Sequence, residues 1–117
     1  MPDAQRLVDG VPVLPGYIQG SGSKFRDLRV WCRWCCHWHT HGPEPVGSTT
    51  HRIAHCFATD SPYRETGYWI EVSATDYDDV ARKVKSASAA QQRAMSTGRV
   101  SDAVKRLRDQ PSPGAAV

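Results

Sequence analysis

The chain has 117 residues, 39% of them hydrophobic, with a mean hydropathy of −0.54. That is one small domain with a modest core, and no run approaches the roughly 18 apolar residues that a membrane-spanning helix needs. The formal charge of +3 is unevenly spread, since residues 80–109 carry eight Lys/Arg against Asp102 and Asp109 while the rest of the chain is net −3.

The N-terminal stretch "MPDAQRLVDG" has no apolar run after its charges. The expectation is therefore a cytoplasmic protein without a secretory signal. Cysteines are kept reduced there, so a Cys-x-x-Cys reads as a metal or redox site. Residues 1–24, with "VPVLPGYIQGSGSK", are broken by Pro15, Gly16 and Gly20. They read as a flexible arm with at most one edge strand, because Pro is confined to sheet edges.

Residues 25–74 read as a β domain. In "FRDLRVWC" the apolar residues are Phe25, Leu28, Val30 and Cys32, the last three in strict alternation. "GPEPVGSTT", Gly42 to Thr50, is rich in breakers and reads as a surface loop. "HRIAHCF" alternates for part of its length. In "PYRETGYWIEV", Thr66-Gly67 supplies a turn, after which Tyr68, Ile70 and Val72 share one strand face.

Residues 75–109 read as a basic helical segment. Thr75 or Asp76 is an N-cap candidate, and Asp78 and Asp79 suit the positive end of the helix dipole. The stripe Val80, Val84, Met95 predicts a helix of about five turns. Ser101 caps a short second helix through Val104 and Leu107, and residues 110–117, "QPSPGAAV", read as a disordered tail.

All four cysteines and all five histidines fall between Cys32 and Cys56. Packing does not explain this: a histidine gains nothing from other histidines nearby, whereas a divalent cation joins them. Cys32-x-x-Cys35 is the usual first half of a tetrahedral zinc site, with the second half expected some residues later. His39-x-His41 and His55-Cys56 are the two available sources. Residues i and i+2 of a strand share a face, while adjacent residues point oppositely. The preferred metal set is therefore Cys32, Cys35, His41 and Cys56, with His39 for His41, or His55 for Cys56, as second choices. A redox pair or a disulfide framework is the competing reading. Ordering short strands costs about 1–2 kcal/mol per residue in backbone entropy. One structural Zn²⁺ supplies about 10–16 kcal/mol of apparent binding energy, so the metal decides whether the β unit folds.

"WCRWCCHWHTHG", followed by "HRIAHC" and "SPYRETGYWI", resembles a group of small CxxC…HxHG…HRxAHC proteins. These are found in actinobacterial genomes, plasmids, integrated elements and phages. The resemblance covers about residues 28–72 and implies a zinc-ribbon or zinc-knuckle module with structural zinc. Cys32, Cys35, His39, His41, Gly42, His51, His55 and Cys56 match the pattern. Cys36 and His37 depart from it, Cys36 standing where a knuckle usually has a Gly of positive φ.

The expected fold is α+β: a small zinc-stabilised antiparallel β unit of zinc-ribbon type, then a helix and a short second helix. The first functional expectation is a nucleic-acid-binding or regulatory accessory module. Its contacts with DNA or RNA would come from Arg33, Trp34, Arg52, Lys83 and Arg106, with aromatics stacking bases and cations meeting phosphates. A zinc-stabilised protein–protein adaptor is the alternative, with a metal-dependent hydrolase or nuclease third. Three available thiolates favour a closed, structural shell over a catalytic one, and a chain without Asn cannot build a His-Asn-His nuclease core.

Overall fold

The computed structural model describes residues 6–20, 22, 24 and 26–113. Its centre is a mixed six-stranded sheet built from β1 (Arg6–Val8), β2 (Val11–Gln19), β3 (Asp27–Cys32), β4 (His37–His41), β5 (Thr49–Arg52) and β6 (Tyr68–Asp76). The strands lie in the order β4-β3-β2-β6-β5, with β1 beside β2. Four short helices follow the chain: α1 (Tyr63–Thr66), α2 (Tyr77–Val80), α3 (Ala89–Ser96) and α4 (Asp102–Arg108).

The segment expected to be a flexible arm supplies the middle of the sheet. Val8 pairs with Val11 across Asp9-Gly10, whose φ angles are 52° and 78°. That is the left-handed pair of a tight hairpin turn, which Asp-Gly favours. β2 then runs antiparallel to β3 and parallel to β6, so the expected all-antiparallel unit is corrected to a mixed sheet. Pro15 falls between the end of the β1 register at Val13 and the start of the β3 register at Gly16. A lost N–H matters least at such a gap, which is how a central strand tolerates it. Gly16 is needed for space: a Cβ there would lie 2.5 Å from Ile70 Cγ2 and 2.9 Å from Leu28 Cδ1.

Register sorts the side chains onto two faces. Val30 pairs with His39 and Cys32 with His37, and paired residues face the same way. One face therefore carries Leu28, Val30 and Cys32 with His37, His39 and His41, continued by the buried Ile70 and Val72. The opposite face carries the Trp31–Trp38 pair, whose rings meet edge-to-face at 5.5 Å. Tyr17 and Tyr77 pack on Trp38 at 6.0 and 4.9 Å. Contacts of this kind add about 0.5–1.5 kcal/mol each beyond area burial.

The single helix of about five turns is corrected as well. After α2 the chain makes a short 3₁₀ turn, Ala81–Lys83, becomes extended at Val84, and restarts as α3. Ser88 and Gln91 form a reciprocal capping box there, a strong local start signal that overrides a weak hydrophobic stripe. The second helix lies as expected, with Ser101 accepting from the Val104 N–H. Of the expected tail, residues 114–117 lie outside the described residues, as does Phe25.

Candidate metal centre

The β3–β4 hairpin turns through residues 33–36. Cys32 ends β3, and Cys35 is brought back over it, its N–H 3.4 Å from Cys32 Sγ. Cys36 has φ 51°, so it takes the left-handed slot that a knuckle usually gives to Gly. Its buried thiol donates to the Arg33 carbonyl at 3.4 Å and points to the Val104 carbonyl at 3.9 Å, which fixes it as a packing residue between hairpin and α4.

His39 lies on the cysteine face, diagonal to Cys32, because Cys32 pairs directly with His37. The fourth group arrives from far along the chain. β5 sits at the far edge of the sheet, and the segment 53–62 that follows it returns to the β3–β4 hairpin. Along it Ala54, Cys56 and Ala58 are buried while His55 is exposed. Cys56 Sγ comes to 3.7 Å from Cys32 Sγ and 3.6 Å from His39 Nε2. The ligand atoms of Cys32, Cys35, His39 and Cys56 all lie within 4.8 Å of one another. These four residues are buried and close enough to bind a metal ion.

The charge balance of the group follows from its packing. Burial, with Cys35 and Cys56 beside it, pushes the Cys32 thiol well above its ordinary value. For Cys35, the hydrogen bond with Cys32 favours the thiolate, but Cys56 and burial outweigh it and the thiol is pushed up to about 11. Cys56 goes the other way. Hydrogen bonds from Cys32 and Cys35 hold it far below a normal thiol against the cost of burial, and His39 and Ser61 help. Ser61, itself buried, donates its hydroxyl to Cys56 Sγ at 3.2 Å. The group thus favours one thiolate, at Cys56, while Cys32 and Cys35 hold their protons; a bound cation would offset the repulsion that keeps the other two thiols protonated. All four cysteines are free, and the Cys32–Cys56 separation is a non-bonded one.

His41, the first choice for the nitrogen ligand, lies outside this group, and His39, the second choice, stands in it. The two residues are about 7 Å apart along the strand, and His41 stands opposite Leu28, beyond the cluster. Its Nε2 meets the Tyr68 hydroxyl instead. Burial and then His39, Arg52 and His55 push His41 down to about 4, while burial raises Tyr68. Both are neutral, and the imidazole tautomer sets which of the two donates. His55 is exposed and outside the group. His51 bonds the Thr66 carbonyl and stacks edge-on against Trp69. His37 meets the Trp38 carbonyl through Nδ1.

Two residues outside the sequence-derived set hold the centre's surroundings. Arg108, only 8% exposed, donates through Nη1 and Nη2 to both carboxylate oxygens of Asp60, at 2.6 and 2.8 Å, and through Nε to the Trp34 carbonyl at 2.9 Å. One guanidinium therefore ties the Cys32–Cys35 turn to the Cys56 segment. The residues expected at a nucleic-acid interface divide. Arg33 and Arg108 both lie over the half-buried Trp34 ring, at 5.5 and 5.3 Å, and Arg33 also bonds the Arg108 carbonyl. Arg52 is ion-paired with Glu44. Lys83 and Arg106 are exposed. Trp31 and Trp38 are core, as are the four cysteines.

No helix among the described residues is long and apolar enough to cross a membrane. Comparison with family models, with curated proteins and with solved structures finds no match to this chain.

Proposed function

We propose that the protein is a small non-catalytic binding module that carries one structural Zn²⁺ on Cys32, Cys35, His39 and Cys56, and that its ligand is nucleic acid. The observation that supports the metal is the pair of separations at its core, 3.7 Å between sulfurs and 3.6 Å between sulfur and nitrogen. A tetrahedron with Zn–S of about 2.3 Å and Zn–N of about 2.0 Å has edges of about 3.8 and about 3.5 Å. Three thiolates and an imidazole are a donor set of structural zinc, and the hairpin that carries Cys32 and Cys35 is of zinc-knuckle type. Burial of all four ligands favours a closed shell over one that presents an open position to substrate.

The nucleic-acid reading rests on charge. Arg82, Lys83, Lys85, Arg93, Arg99, Lys105 and Arg106 are all exposed within residues 82–106. Trp31 and Trp38 are buried, so base stacking on them is not part of the proposal and the contacts are to phosphates. Such binding is sequence-tolerant and weakens steeply with salt. Elemental analysis is expected to give one zinc per chain. Fluorescence anisotropy with a labelled single strand is expected to show binding at low salt that fades as salt rises. A protein that carries zinc yet ignores DNA and RNA at low salt points to the adaptor reading.

A further inference from the structure

Segment 84–88, helix α3 and helix α4 enclose a cleft of about 430 Å³, within the about 300–1,000 Å³ of small-molecule sites. We propose that this cleft binds a phosphate group, held by Lys85 and Arg106. Both cations line it and no carboxylate does. Among the described residues neither side chain makes an ion pair, whereas neighbouring Lys105 is paired with Asp102 at 3.8 Å.

The side-chain carbonyls of its lining are already occupied. The Gln110 side-chain carbonyl takes the Lys85 N–H at 2.9 Å, and the Gln91 carbonyl takes the Ser88 N–H at 2.8 Å. Ser88 Oγ takes the Gln91 N–H at 3.1 Å, so the helix amide is used by its own cap. The remaining capacity includes the Ser86 and Ser88 hydroxyls, the Gln91 side-chain NH2, the ammonium and the guanidinium. Two cations with neutral donors and no opposing carboxylate suit an anion, and a guanidinium meets phosphate with two parallel hydrogen bonds. Ala103 and Leu107 supply an apolar wall for whatever bears the phosphate.

The walls are held in place before any ligand arrives. Gln110 grips the Lys85 backbone from both sides, also donating to its carbonyl at 2.8 Å. α4 is anchored through Arg108 to the metal-centre turns. A second cleft, of about 300 Å³ and lined by residues of β1, β2 and β6, shows the contrast, because its cation Arg6 is neutralised by Glu71 at 2.6 Å.

The phosphate has two possible sources, a nucleic-acid backbone or a free phosphorylated small molecule. The first rests on the nucleic-acid reading above and the second does not. The test is an amide NMR titration of the zinc-loaded full chain with inorganic phosphate, then adenosine monophosphate, then a short single-stranded DNA. Both small probes are expected to shift the Ser86, Ser88, Gln91 and Ala103 amides. The exposed double variant Lys85→Gln/Arg106→Gln is expected to bind both small probes at least about ten-fold more weakly, and the charge-matched control Arg26→Gln/Arg64→Gln, at two exposed cations away from the cleft, to bind them as the parent does. If the DNA also loses affinity in the first variant, the cleft anchors the nucleic-acid backbone. If adenosine monophosphate binds there and DNA does not, the cleft stands and the nucleic-acid reading falls. Absence of shifts at these amides with both small probes, or equal loss in the control variant, overturns the proposal.

Discussion

Single residues decide which atoms form the cage. That a cluster able to hold a metal lies among Cys32 to Cys56 was legible from spacing alone, and so was the opposition of His55 and Cys56, since adjacent residues of an extended segment face apart. The choice between His39 and His41 was not legible, because both share a face and only the β3–β4 register sets which one stands diagonal to Cys32. His39→Ala is expected to lower zinc stoichiometry in elemental analysis. His41→Ala is expected to keep one zinc but to lose about 1–3 kcal/mol of stability in denaturant unfolding, because the buried Tyr68 hydroxyl is left without its hydrogen-bond partner. Cys36→Ser is expected to keep the zinc, since the Cys36 thiol faces the Arg33 and Val104 carbonyls. Ser61 is not a ligand-type residue and so falls outside any Cys/His spacing pattern, yet its hydroxyl supports Cys56 Sγ. Ser61→Ala is expected to weaken zinc about 10-fold or more in a chelator competition, the lower end of what outer partners of ligands contribute.

At the scale of elements, strong local signals survived and weak ones were overridden. The strand faces of Leu28/Val30/Cys32 and Tyr68/Ile70/Val72 and the Ser101 cap were readable because each is a local rule. The Asp9-Gly10 hairpin was also readable as turn chemistry, but the prolines of β2 masked it. The docking of α4 was not readable, because a buried arginine in a helix otherwise rich in exposed cations looks like its neighbours. Arg108→Met is expected to cost about 2 kcal/mol in unfolding, as hydrogen bonds to charged groups contribute about 1.5–3 kcal/mol each and the half-exposed Asp60 keeps part of its solvation. The pH dependence has a definite sign. Hydrogen bonds from Arg108 hold the Asp60 carboxyl below its ordinary value against the effect of burial. A depressed carboxyl stabilises the fold above its unfolded pKa of about 3.9 and loses that contribution as the pH falls through the folded value. Asp60→Asn is expected to be less stable than the parent near neutrality, with the gap narrowing only as the pH falls below about 4.

Across the whole molecule, the metal group joins parts that are distant in the chain. Cys32, Cys35 and His39 belong to one hairpin, and Cys56 to a segment arriving from the far edge of the sheet. α3 and α4 lean on both, through Arg108 and through the Thr59 N–H to Met95 carbonyl bond at 3.3 Å. The parallel pairing of β2 with β6 could not be read from the sequence, because it closes a loop of some fifty residues and leaves no local pattern. Removal of zinc is therefore expected to release the C-terminal helices together with the Cys56 segment, seen as a joint loss of amide protection in hydrogen exchange. The most direct test of the cage itself is X-ray absorption at the zinc edge of the purified protein. Three sulfurs at about 2.3 Å and one nitrogen at about 2.0 Å are expected. A shell dominated by oxygen, or a purified protein without bound metal, contradicts a Cys32–Cys35–His39–Cys56 centre.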